Sequence, residues 1–264
     1  MTWHVDVVGT RLAYDVVGDG PTIVWLHAGI ADRSMWEPQL LAFSDRFACV
    51  TPDARGFGDT PIGSVSYSRR DDIAAVLDAV DAETATLVGC SIGAGFALDF
   101  AIENPGRVDK LVLVGVTPAG FEHRPDPLFV ETWPRIDEAI GAGDLEKAGR
   151  LEARLWVDGP RRPQGTAPQW LTDKVVEWSY PINSVEEWGE SIQLDPPAMG
   201  RLDEVEADTM VVVGLEDADA VIEGCRATAA GIPGAHLAVL DATAHLPNLE
   251  VPEIFNAALA EFLR

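Results

Sequence analysis

Cysteine and positive charge are the two things this chain has least of. Its 3 cysteines, Cys49, Cys90 and Cys225, are widely separated in 264 residues. An odd, scattered set excludes a disulfide framework, and the apolar runs around Cys49 and Cys90 mark buried free thiols. Lysine and arginine together number 19 against 43 acidic residues, for a net charge of −24. With no basic stripe to neutralise phosphates, nucleic acid is excluded as a partner, and so is an anionic membrane surface. The acids are dispersed rather than gathered in a tail, which serves solubility. No run of 18 apolar residues occurs, so no membrane-spanning helix is expected. The start, Met1-Thr2-Trp3-His4-Val5-Asp6, lacks a basic stretch followed by an apolar one. No signal peptide is expected there, and a cytoplasmic location follows as the default. No group of His, Cys or carboxylate side chains stands at ligand spacing, so neither a metal nor another cofactor is called for.

What the chain does have is an alternation of short apolar runs and amphipathic stretches. Thr2–Val8 and Arg11–Val17 read as strands joined at Gly9-Thr10. Thr22–Leu26, Phe47–Val50, Thr84–Val88, Val108–Val116, Thr209–Val213 and His236–Leu240 read as further strands, several apolar enough to be buried on both faces. Between them, Ser34–Phe43 (Ser34 as N-cap), Ser68–Val80, Ala94–Ile102, Ala218–Ala230 and Pro252–Leu263 read as helices. The pattern predicts an α/β fold: a mostly parallel eight-stranded sheet flanked by helices. From about Phe121 to Pro197 strand-like runs vanish. Trp133, Trp156, Trp170, Trp178 and Trp188 all fall there, and short helices such as Leu145–Trp156 and Ser184–Ser191 are expected. The division is a core of residues 1–120 and 198–264 interrupted by a helical insertion, 121–197.

The chemistry centres on Leu87-Val88-Gly89-Cys90-Ser91-Ile92-Gly93-Ala94-Gly95. A strand runs into a sharp turn and then a helix, with glycine two residues either side of Ser91. Such a turn lifts the serine hydroxyl above the sheet edge and aims the first helical N–H groups at a developing oxyanion. A serine nucleophile needs a base, and the base needs an acid to orient it. Of the 5 histidines, His245 follows the last strand on the same edge of the sheet. His27 ends a strand and reads as a brace for the loop after it. The orienting acid should end another strand on that edge. Asp217 fits, lying between Ser91 and His245 in the chain, with Asp219 and Glu216 as alternatives. The N–H of Ile92 supplies one oxyanion donor, and Gly29 or a neighbour supplies the second.

At this point the chain resembles the α/β-hydrolase superfamily over nearly its whole length. Leu26-His27-Ala28-Gly29 is similar to the oxyanion loop, with Ala28 where glycine is commoner. Asp53-Ala54-Arg55-Gly56-Phe57-Gly58 is similar to a largely structural D-x-R-G-x-G loop. Gly89-Cys90-Ser91-Ile92-Gly93 matches the nucleophile elbow, and Ala244-His245-Leu246-Pro247-Asn248-Leu249-Glu250-Val251-Pro252 the histidine segment. The resemblance implies that the tryptophan-rich insertion is a cap over the active site. Serine at position 91 separates the chain from haloalkane dehalogenases and most epoxide hydrolases, which carry aspartate. It places the chain with esterases, lactonases, carbon–carbon bond hydrolases and cofactor-free perhydrolases. His27-Ala28-Gly29 followed by Met35-Trp36, and Leu155-Trp156-Val157-Asp158-Gly159-Pro160, are similar to proteins grouped near 3-oxoadipate enol-lactonases. The resemblance implies a serine hydrolase acting on a small carboxylic ester or lactone. The alternatives are a carbon–carbon bond hydrolase, a perhydrolase, or a non-catalytic receptor for a small ligand. A homodimer is left open. Met35, Trp36, Phe121, Trp133 and Leu246 are the candidate pocket residues.

Overall fold

The computed structural model describes residues 1–63, 65–185 and 188–264. The strands are β1 (Thr2–Val7), β2 (Thr10–Val17), β3 (Thr22–Leu26), β4 (Ala48–Pro52), β5 (Ala85–Cys90), β6 (Val108–Val114), β7 (Asp208–Gly214) and β8 (His236–Leu240). They form one 8-stranded sheet in the order β1-β2-β4-β3-β5-β6-β7-β8. The β1–β2 and β2–β4 pairs are antiparallel and every pair from β4 to β8 is parallel. The central parallel strands β3, β5 and β7 show no polar alternation because helices cover both faces, whereas the edge strand β8 is largely exposed.

Side chains of successive strand residues point to opposite faces, and the core divides accordingly. On one face Leu87, Leu111, Leu113, Val211 and Val213 meet α2 (Arg69–Ala79), α3 (Ile92–Glu103) and α7 (Asp219–Gly231). On the other, Val88, Cys90, Val112, Val114 and Val212 meet α1 (Glu37–Phe43) and α9 (Pro252–Phe262). Cys49, Cys90 and Cys225 are buried free thiols.

Between β6 and β7 the chain forms α4 (Pro127–Gly141), α5 (Leu145–Ala153) and α6 (Gln169–Asn183), with a single π-helical turn, Arg154–Asp158, continuing α5. Ile136 and Ala139 of α4 pack on Ala148 of α5 and on Leu155. Leu171, Val175 and Trp178 of α6 join the apolar cluster of Trp25, Trp36 and Phe43. The indole N–H of Trp178 donates to Ser34 Oγ at 2.9 Å.

Three sequence readings need correction. Ser34 is not the cap of the helix before Phe43. Asp32 caps a 3₁₀ turn over Arg33–Trp36 by accepting the Ser34 N–H, and α1 follows. A carboxylate two residues upstream takes the cap because its oxygen reaches the orphan N–H. The strand expected to reach Val116 stops at Val114, where Gly115 turns the chain with φ +61°. The helix expected over Ser184–Ser191 includes residues 186–187, outside the described residues. At its end Ser191 forms an isolated parallel bridge with Tyr67 instead.

The Asp53–Gly58 loop is held by charge. Arg55 donates to both oxygens of Asp72, at 2.8 and 2.7 Å, and to the Val8 carbonyl at 2.7 Å. Its guanidinium lies 4.3 Å from the Tyr67 ring centroid. The Arg55 side chain is 1% exposed and that of Asp72 13%. Arg55→Met leaves that carboxylate buried without its partner. A loss of about 3 kcal/mol in folding free energy is expected, read as a lower urea midpoint at unchanged slope.

Candidate active site

The site begins with backbone strain at the end of β5. Ser91 sits at φ 55°, ψ −117°. A non-glycine residue in the left-handed half of the map is held there only by its surroundings. The Ser91 N–H donates to the Val114 carbonyl at 2.8 Å, tying the turn to β6. The flanking glycines are demanded by contact. A Cβ on Gly89 would lie 2.3 Å from the Gly93 carbonyl oxygen, and one on Gly93 2.3 Å from that of Leu26. The turn is therefore wedged between its own helix and β3, and α3 starts at Ile92 directly after the serine.

His245 and Asp217 come together from two loops. His245 Nδ1 lies 2.6 Å from Asp217 Oδ2, and the Ala218 N–H donates to Asp217 Oδ1 at 2.7 Å. Both side chains are buried, at 3% and 1% exposure. With Nδ1–H directed at the carboxylate, the imidazole lone pair is on Nε2. That Nε2 is buried and has no hydrogen-bond partner among the described residues. Asp219 instead pairs with Arg161 on the surface. Glu216, one residue before Asp217, has its N–H bonded to the Thr243 carbonyl at 2.9 Å.

The histidine loop is fastened from both sides. The His245 N–H donates to the Trp156 carbonyl at 3.1 Å, and the Trp156 ring lies 4.4 Å from the imidazole, centroid to centroid. Trp156 projects from the π-helical turn, a local insertion often found at functional sites. Arg162 donates to the carbonyls of Val157, Asp158 and Ala242 and to Glu250 Oε2, while Glu250 Oε1 accepts the Ala244 N–H at 2.8 Å. Burial pushes the Glu250 carboxyl above its ordinary range, and the Arg162 guanidinium opposes that push.

Ser91, Ile92 and His245 line one open cleft of about 310 Å³, whose walls include Phe96, Asp99, Thr117 and Trp156. Gly29 packs on the Ile92 side chain: a Cβ there would lie 3.4 Å from Ile92 Cγ2. His27 is a brace. Its Nε2 accepts the Ala54 N–H at 3.0 Å and its Nδ1 donates to the Ala28 carbonyl at 2.8 Å. Burial lowers its pKa, which favours the neutral ring those two bonds require.

The expected pocket residues are elsewhere. Met35, Trp36 and Leu246 are 0% exposed and belong to the apolar cluster beside Trp25 and Phe255. Trp133 is 46% exposed on α4, and Phe121 stacks on His123. None of these lines the cleft. Apolar side chains near a site pack first into the core, and hydrophobicity does not distinguish packing from ligand lining. The walls missed by that reading include Gly95 and Asp99, four and eight residues after Ser91. That helical spacing was the available signal. Among the described residues no group of three or more His, Cys, Asp or Glu side chains is disposed to hold a metal. No helix among them is long and apolar enough to cross a membrane.

A mostly parallel 8-stranded sheet with a strained serine turn after its fifth strand and a histidine loop after its last is the architecture of an α/β hydrolase. The model of the alpha/beta hydrolase family matches residues 23–258, and the chain belongs to this family. It is 25% identical over 261 residues to carboxylesterase YbfK of Bacillus subtilis, covering 93% of this chain and 81% of that protein. It is 27% identical over 268 residues to a 2-hydroxy-6-oxononadienedioate/2-hydroxy-6-oxononatrienedioate hydrolase of Pseudomonas putida, covering 96% and 92%. The enol-lactonase of Burkholderia xenovorans LB400 has the same fold, with a TM-score of 0.78 at 20% identity over 99% of both chains.

Proposed function

We propose that this protein is a serine hydrolase that cleaves a small carboxylic ester or lactone through an acyl-enzyme. One observation carries the reading. The buried imidazole of His245, bonded through Nδ1 to Asp217, has an unpartnered Nε2, and His245 and the strained Ser91 line the same cleft. In the reaction the Ser91 Oγ bonds to the substrate carbonyl carbon while its proton passes to His245 Nε2. The carbonyl electron pair moves onto oxygen, which accepts hydrogen bonds from the N–H groups of Ile92 and Gly29. Collapse of this intermediate expels the alkoxide, which takes the proton from His245. Water then gives a proton to His245, attacks the acyl carbon and releases the acid, and the returned proton restores Ser91. Asp217 holds the ring orientation and stabilises the imidazolium at both stages. The insertion, residues 121–197, serves as a cap whose Trp156 covers the histidine.

The carboxylesterase relative supports an ester substrate. The Pseudomonas relative is named for a dioate, but no lysine or arginine among the described residues lines this cleft to pair with two carboxylates. That weighs against carbon–carbon hydrolysis of such an acid here. The test uses p-nitrophenyl acetate, butyrate and octanoate with fluorophosphonate labelling. Turnover with an optimum among the chain lengths, together with labelling of Ser91, is the expected result. Labelling without turnover of any ester would overturn the esterase reading in favour of a narrow substrate or a receptor.

A further inference from the structure

The cleft carries a charge that ester cleavage does not use. Gly95 and Asp99 of α3 follow Ser91, the residue capping that helix, at four-residue spacing, so they lie on the helix face nearest the serine, and all three line the cleft. Eight residues of helix put Asp99 about 12 Å along the axis from Ser91. The neighbouring cations are engaged with other acids. Arg70 donates to Glu103 at 2.7 Å and to the Ile192 carbonyl at 3.3 Å. Arg201 donates to both oxygens of Glu204 and lies 3.8 Å from Glu103. Among the described lining Asp99 is thus the one acidic side chain, beside Phe96, Thr117 and Gln193, with no lysine or arginine there.

We propose that Asp99 is a specificity-determining residue, selecting acyl chains that end in a cationic group and rejecting those that end in a carboxylate. The inference rests on the ester hydrolysis proposed above. A carboxylate in a partly desolvated wall attracts a cation and repels an anion more strongly than one in open water. Burial pushes the Asp99 carboxyl up to about 6, against the Arg70 charge, with that of Glu103 and against that of Arg201. The group is therefore ionised at pH 8. The helix spacing sets the reach: an acyl chain of octanoate length brings its far end toward Asp99 when its carbonyl is at Ser91.

The test compares p-nitrophenyl ω-trimethylammonio-octanoate with the p-nitrophenyl half-ester of suberic acid at pH 8. Salt near physiological strength screens the field of the acidic surface. Wild type is expected to prefer the cationic ester in kcat/KM, and Asp99→Asn to shrink that ratio about 10-fold or more. Asp99→Ser is a second, smaller replacement that should shrink it likewise. A ratio unchanged in a folded variant overturns the inference. Binding of the two corresponding amides, read by tryptophan fluorescence, separates this result from failure of hydrolysis. A charge preference in binding that Asp99→Asn removes, without ester turnover, sustains the inference and sinks the proposed reaction. Turnover with no Asp99-dependent preference does the reverse, and absence of both overturns both.

Discussion

Ser91→Ala is expected to lower kcat for p-nitrophenyl butyrate by about 10⁴-fold or more, with the fold intact. The size follows from the role proposed for Ser91: without the hydroxyl no acyl-enzyme would form, and only binding and oxyanion contacts would remain. Fold retention follows from the backbone. Ser91 lies at φ 55°, ψ −117°, and alanine keeps the Cβ that makes this conformation costly. Thermal unfolding of Ser91→Ala should therefore match wild type. Ser91→Gly removes the same hydroxyl and relieves the strain, so it should be equally inactive and more stable by about 1 kcal/mol. Steady-state kinetics and melting curves on the two variants separate nucleophile from turn. Activity that survives either replacement would show that Ser91 is not the nucleophile.

Asp217→Asn is the second large effect, a fall of about 10³- to 10⁴-fold in kcat. An asparagine at this position presents either an amide N–H or a carbonyl to His245 Nδ1. Facing Nδ1 with its N–H, it stabilises the tautomer with the proton on Nε2, which cannot accept the Ser91 proton. The volume is preserved, and Asp217 Oδ1 also accepts the Ala218 N–H at 2.7 Å, a bond the amide oxygen can keep. Stability should change much less than rate. Asp219→Asn is the control, since Asp219 is paired with Arg161 at the surface and should leave kcat within about twofold. Equal losses in the two variants would remove Asp217 from its assigned role.

Central strands were legible in the sequence because burial on both faces leaves short apolar runs, and Thr22–Leu26 has the residues at which β3 begins and ends. The edge strand His236–Leu240 was legible from its apolar residues alone, since most of it is exposed. The elbow was legible because its glycines are a steric requirement: a Cβ on either would meet a carbonyl oxygen at 2.3 Å. Caps were harder, since Asp32 and Ser34 both carry a suitable oxygen and only the backbone path decides between them. The cleft walls were the least legible. Met35 and Trp36 are apolar and near the site, yet the turn capped by Asp32 directs them into the sheet's apolar layer. Trp156 reaches His245 only because α5 ends in a π-helical turn, and nothing in Leu155-Trp156-Val157 announces that change of winding.

The sharing of one apolar cluster between α6 and the sheet has a consequence for motion. Leu171, Val175 and Trp178 are buried with Trp25 and Trp36, and Trp178 is bonded to Ser34. Swinging such a segment clear as a hinged flap would break that layer, so its amides are expected to exchange with solvent only in openings that reach the sheet. A variant that loosens the cleft rim should therefore leave the unfolding of α6 unchanged, whereas one that breaks the Trp178–Ser34 bond should not.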